Sequence, residues 1–200
     1  MPVPQQRMVA RHQRILDAAL DVFNRHGYRD AGVDDIAAAS DTSKGGVYFH
    51  FPSKQAIFLA LLDRAAAQLL ERAEEAIARE QEPVAKADAA LRVVLHTFAS
   101  HRQLARLFLV EAPGAGREFQ ARLAQLHGDV ARLIQRHLDD AAAAGAVDPV
   151  DTSVAARAWF GAINEVVVSW LLTRQPQRLE DAYPALRALL LRSVGARVAR

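Results

Sequence analysis

The chain has 200 residues, 51% of them hydrophobic and 24% charged, with 25 Lys and Arg against 23 Asp and Glu and a formal net charge of +2. That supplies a core for one domain, or for a small one fused to a larger one, and argues against global disorder. Cysteine is absent, which excludes disulfides, thiolate catalysis and Cys-based zinc or iron–sulfur centres, so a cytoplasmic protein is expected.

The first ten residues, Met1 to Ala10, hold two prolines and no apolar h-region, so no signal peptide is read there. Met1 to Gln6 reads as a flexible tail. Beyond it the apolar spacing is helical. Ile15, Ala19, Val22 and Phe23 share one stripe, as do Phe58, Leu61, Leu62, Ala65 and Leu69. Leu91, Val94, Leu95 and Phe98 repeat the pattern, and so do Tyr183, Leu186, Leu189, Leu190 and Val194. Gly27, Gly32, Pro52, Pro83, Pro113-Gly114, Gly145, Pro149 and Pro176 punctuate the chain. The expectation is an all-α protein of about nine helices, starting near residues 8, 33, 43, 53, 84, 103, 117, 150 and 179. The helices are short up to about residue 51 and long afterwards. This predicts a small module, residues 1–52, followed by a larger bundle, residues 53–200. The most apolar run, Val166 to Leu172, is broken by Ser169 and is far short of the ~20 residues a membrane span needs, so no membrane partner is expected.

The informative segment is Val33 to Lys54, VDDIAAASDTSKGGVYFHFPSK. Ile36 and Ala37 belong to one short helix, Ser40-Asp41-Thr42 makes a turn, and Ser43 caps a second short helix. Val47 and Phe51, four apart, turn inward, leaving Lys44, Gly45, Tyr48 and the polar edge of His50 outward. A two-turn helix with small residues at its start fits the ~12 Å major groove. This is a helix-turn-helix pattern, whose second helix reads bases. Ser53 caps the next helix and Lys54 charges its first turn, an arrangement that attracts a phosphate. Arg7, Arg11 and Arg14 offer further phosphate contacts.

From about Arg11 to Leu62 the chain resembles the DNA-binding domain of the tetracycline-repressor-like (TetR, AcrR-type) family. The matching residues are Ile15, Ala18, Ala19, Phe23, Gly27, Tyr28, Val33, Ile36, Ala37, Ser43, Lys44, Gly45, Val47, Tyr48, Phe51, Ser53, Lys54 and Phe58, with Val47 to Lys54 the most specific stretch. The resemblance implies an N-terminal three-helix DNA-binding domain and a C-terminal ligand-binding and dimerisation bundle. It also implies DNA contacts from Lys44 and Tyr48 and a phosphate held by Lys54. The expected DNA-binding set is Thr42, Ser43, Lys44, Gly45, Gly46, Tyr48, His50 and Lys54. Three departures from the family stand out. Ala31 and Gly32 stand where threonines are frequent, Asp41 replaces the turn glycine, and Gly46 replaces a threonine. Residues 1–62 carry seven basic side chains (Arg7, Arg11, Arg14, Arg25, Arg29, Lys44, Lys54) and six acidic ones (Asp17, Asp21, Asp30, Asp34, Asp35, Asp41). Modest non-specific affinity, steep in salt, is expected.

The helix from about Pro149 to Arg174 is apolar nearly all round. One face would meet its own bundle and the other a partner subunit. The resemblance implies a dimer interface built by the last two helices, and Gly161, Leu171, Leu186, Leu189 and Leu190 are the expected interface residues. The helices before them would enclose a small apolar ligand. Leu62, Leu95, Phe98, Arg106, Phe108, Glu111 and Asn164 are the expected ligand residues. Two stretches, Leu107–Gly114 and Ala158–Leu172, look similar to members that respond to acyl-CoA thioesters or fatty acids.

His96, His101, His127 and His137 lack metal-ligand spacing, and neither a Gly-rich phosphate loop nor a Ser/His/Asp arrangement stands out. No metal, no cofactor and no enzymatic activity are expected. The leading expectation is a repressor that binds a palindromic double-stranded DNA operator as a homodimer and is released by its ligand. The competing one is a nucleoid- or division-associated DNA-binding protein of the same architecture with a protein effector.

Overall fold

A computed structural model of the chain describes residues 4–111 and 116–196. The described residues form nine α-helices and no strand. They run α1 (Pro4–Asp30), α2 (Val33–Ala39), α3 (Lys44–His50), α4 (Lys54–Ala78), α5 (Pro83–Ser100), α6 (Arg102–Arg106), α7 (Arg117–Ala143), α8 (Thr152–Thr173) and α9 (Tyr183–Ser193). The all-α expectation stands, with three local corrections. The first helix starts at Pro4 rather than near residue 8, taking in part of the supposed tail, because proline is tolerated in a first turn where its missing N–H has no partner to lose. The helix expected near 103 is α6 followed by a π-helical turn, Leu107–Glu111. The one expected near 179 opens as a 3₁₀ turn, Leu179–Ala182. Pro184 has no N–H to return to the Glu180 carbonyl, which the Tyr183 N–H takes instead, so the α ladder restarts at Tyr183. The expected break at Pro113-Gly114 lies outside the described residues, as does part of Leu107–Gly114.

Two compact units arise. One comprises the chain up to Ala65 together with Gln103–Arg122, and the other Ala66–Arg102 with the chain from Leu123 onward.

In the first unit α1 buries Ile15, Ala19, Val22 and Phe23, α2 buries Ile36 and Ala37, and α3 buries Val47. Gly27 adopts φ 73 and ψ 170, which breaks α1 and leaves one further turn. That turn sets the Tyr28 ring 4.5 Å from Phe58. Phe58 is the hub of this core, with Phe23 at 5.3 Å, Phe108 at 5.2 Å and Phe119 at 5.3 Å. Each such aromatic pair adds ~0.5–1.5 kcal/mol beyond its area burial. At the rim Arg64 meets Asp17 at 2.7 Å, and Arg122 meets Asp63 at 2.6 Å.

In the second unit α8 buries Ala156, Trp159, Val167, Trp170 and Leu171, and α9 buries Leu186, Leu190 and Leu191. Asp151 caps α8 by accepting the Val154 N–H at 3.0 Å. Arg187 pairs with Asp88 at 2.6 Å, and Arg92 covers the Tyr183 ring at 3.9 Å, tying α9 to α5.

Candidate DNA-binding surface and effector site

The turn between α2 and α3 is built from its own polar atoms. Gly32 precedes α2, and Asp35 accepts its N–H at 3.2 Å. Any side chain at Gly32 would meet that carboxylate, since a Cβ there lies 2.9 Å from Asp35 Oδ2. The buried Ser40 hydroxyl donates to the Ala37 carbonyl at 3.2 Å, and Asp41 takes the left-handed conformation at φ 50. Asn and Asp are the non-glycine residues that tolerate this region best, which is how Asp41 substitutes for a turn glycine. Ser43 then caps α3, its hydroxyl accepting the Gly46 N–H at 3.1 Å.

With Val47 and Phe51 fixed inside, α3 presents Lys44, Gly45, Tyr48 and Phe49 to solvent. Lys44 bonds Asp34 of α2 at 2.9 Å, and that hydrogen bond and charge raise the ammonium pKa. A Cβ at Gly45 would touch nothing within 4 Å, whereas one at Gly46 would come 2.6 Å from Thr42 Cγ2. Gly45 therefore bares backbone to solvent, and Gly46 lets the helix sit close to the turn. His50 is half-buried beside His12, ring centroids 6.0 Å apart. Burial, and then the charges of His12 and Arg11, hold its pKa below the ordinary 6.5. A neutral imidazole can both donate and accept a hydrogen bond.

Lys54 is turned back on its own fold. Its ammonium donates to the Arg29 and Ala31 carbonyls, both at 2.9 Å, and lies 5.0 Å from the Tyr28 ring centroid. The expected phosphate contact falls on a group that already anchors the end of α1 to the start of α4. Ser53 caps α4 as expected, accepting the Ala56 N–H at 3.0 Å.

Sequence reasoning missed Phe49, which is 78% exposed. The signal was present, because Phe49 stands two residues from both Val47 and Phe51 and two helical steps are ~200°.

The expected ligand residues divide between the two units. In the first, Leu62 and Phe108 are buried, and Arg106 is joined to Glu111 in an ion pair at 3.2 Å. In the second, Leu95 is buried, and Phe98 and Asn164 are half-buried. A 460 Å³ cleft in the second unit is lined by other residues, among them Glu74, Ile77, Lys86, Leu133, Arg136 and His137.

The expected dimer residues differ in exposure. Leu171, Leu186 and Leu190 are buried in their own chain, where α9 packs against both α5 and α8. Gly161 and Leu189 are exposed. With Val154, Ala158, Glu165 and Leu172, Gly161 marks the solvent stripe of α8.

Residues 15–61 match the model of the bacterial regulatory proteins of the tetR family, and residues 80–174 match the tetracyclin repressor-like C-terminal domain. The chain belongs to the tetR family. The fatty acid metabolism regulator protein of Bacillus subtilis (strain 168) is 25% identical over 187 residues, 92% of this chain and 95% of that one. The HTH-type transcriptional regulator RutR of Escherichia coli (strain K12) is 30% identical over 102 residues, 51% of this chain and 48% of its own. The crystal structure of the transcriptional regulator FadR from Bacillus subtilis in complex with stearoyl-CoA superposes with a TM-score of 0.82 at 23% identity, covering 91% of this chain and 98% of that one. This TetR-family chain is a transcriptional regulator of the helix-turn-helix type, and the relatives it matches are regulators rather than enzymes. Among its described residues no helix is long and apolar enough to cross a membrane.

Proposed function

We propose that this TetR-family regulator is a homodimeric repressor that binds a palindromic operator and is released by a long-chain acyl-CoA or fatty acid. The observation that carries the ligand class is the near full-length similarity to a fatty acid metabolism regulator, 25% identical over 92% of this chain. The solvent stripe of α8, with Leu189 on α9, supports association of two copies. Residues 1–52 are assigned to DNA binding, and residues 53–200 to the effector and the dimer.

In such a dimer the two copies of α3 must stand about one DNA turn apart, ~34–36 Å, or a multiple of it. α4 contributes its first turns to one compact unit and its remainder to the other. A ligand that tilts α4 would alter the spacing. Moving the equilibrium from ~1:99 to ~99:1 requires a preference of about 10⁴-fold for the released state. Each methylene buried from the acyl chain supplies ~0.8 kcal/mol towards it.

The test titrates acyl-CoAs of increasing chain length against a labelled DNA selected by the protein, with free CoA as the control. Release and thermal stabilisation that both rise with chain length are the expected result. No release and no thermal shift at any length would remove the acyl effector and leave the DNA-binding regulator in place.

A further inference from the structure

We propose that Phe49 is a specificity-determining residue that reads the C5-methyl group of a thymine in each operator half-site. The inference rests on the operator-binding reading above and goes beyond it, to the chemical feature that the surface selects.

Three observations lead there. Phe49 is 78% exposed on the α3 face that points away from Val47 and Phe51. Within its own chain its ring stands perpendicular to the His50 ring, centroids 5.4 Å apart. One turn before it stands Gly45, where even a Cβ would touch nothing. An aromatic ring thus projects from the solvent face of α3 in its last turn, one turn after a stretch of bare backbone.

The chemistry of the remaining side chains narrows what that ring can do. Gly45 and Gly46 bring no hydrogen-bonding side chain, and Lys44 is engaged by Asp34 at 2.9 Å. A phenyl ring neither donates nor accepts a conventional hydrogen bond. In the major groove the apolar feature that distinguishes one base pair from another is the thymine methyl, and Phe is among the side chains that contact it. Readout at this position is therefore apolar. It distinguishes thymine from uracil, which differ by that methyl alone.

The experiment starts with the full-length protein and a random double-stranded DNA library, from which a binding sequence is selected. Each thymine of that sequence is then replaced by uracil in turn, for the wild type and for Phe49→Ala. The expected result is a loss of about fourfold at one thymine per half-site, the equivalent of one buried methyl-sized group, which vanishes in Phe49→Ala. Exposure of the ring predicts that Phe49→Ala keeps the wild-type circular dichroism and melting temperature. Uracil tolerated at every position overturns the proposal and leaves operator binding intact. The same holds if Phe49→Ala changes the oligomeric state while retaining the wild-type thymine profile, which would make the ring a protein contact. If the wild type selects no DNA at all, the operator-binding reading fails and this inference fails with it.

Discussion

Lys44 on the recognition helix holds its ammonium 2.9 Å from the carboxylate of Asp34, on the helix before it. Ten residues separate the two in sequence, and the turn at Asp41 brings them together. One of the cations best placed for DNA is thus partly neutralised by its own fold.

Asp34→Asn is accordingly expected to strengthen binding to random double-stranded DNA. It should steepen the dependence of log K on log salt by about one counterion. The pair is solvent-exposed, so the melting temperature should barely move. Anisotropy titrations at several salt concentrations check this. An unchanged slope would show that Lys44 does not reach a phosphate or base once freed.

Lys54→Ala is expected to cost stability as well as affinity. Its ammonium satisfies two carbonyls at the end of α1, and hydrogen bonds to charged groups contribute ~1.5–3 kcal/mol each, less where water competes. Urea unfolding should show a loss of about 1–2 kcal/mol. DNA affinity should fall about equally on all sequences, since a phosphate contact carries no base information. Wild-type stability combined with weakened DNA binding would make Lys54 a phosphate ligand alone.

Leu189 and Leu171 separate association from folding. Leu189 is 56% exposed and Leu171 is 0% exposed. Leu189→Glu should give folded monomers by sedimentation. Leu171→Ala should unfold more easily, by ~2–5 kcal/mol, with association lost only as the fold is lost. A wild-type protein that sediments as a monomer at micromolar concentration would remove the dimer from the proposed function.

Burial lowers the pKa of His127 and of His137 from the ordinary 6.5, and His127 lies 4.7 Å from the Phe160 ring. In the unfolded chain both would take up a proton near 6.5, while the folded chain resists until a lower pH. Stability is therefore full above about 6.5 and falls as the pH drops below it, through the folded values. Thermal melts between pH 7.5 and 5.5 should show this decline, and His127→Gln should flatten it. A melting temperature that rises on acidification would contradict the assignment.

The helical content and the DNA-reading module were written locally. Stripes such as Ile15, Ala19, Val22 and Phe23, the Ser43 cap and the break at Gly27 depend on neighbours within about one turn, so periodicity and capping chemistry expose them. The inward turn of Val47 and Phe51 followed from the same spacing. Tertiary packing decided the rest. Leu171, Leu186 and Leu190 share their residue type with Leu189 and Leu172. Only tertiary packing, in which α9 docks on both α5 and α8, determines which leucines enter the core and which remain exposed, because burial depends on what lies opposite a helix face. Lys54 likewise reads as a free cation until the end of α1, more than twenty residues earlier, is folded against it. Its two carbonyl partners are backbone atoms that no side-chain pattern marks.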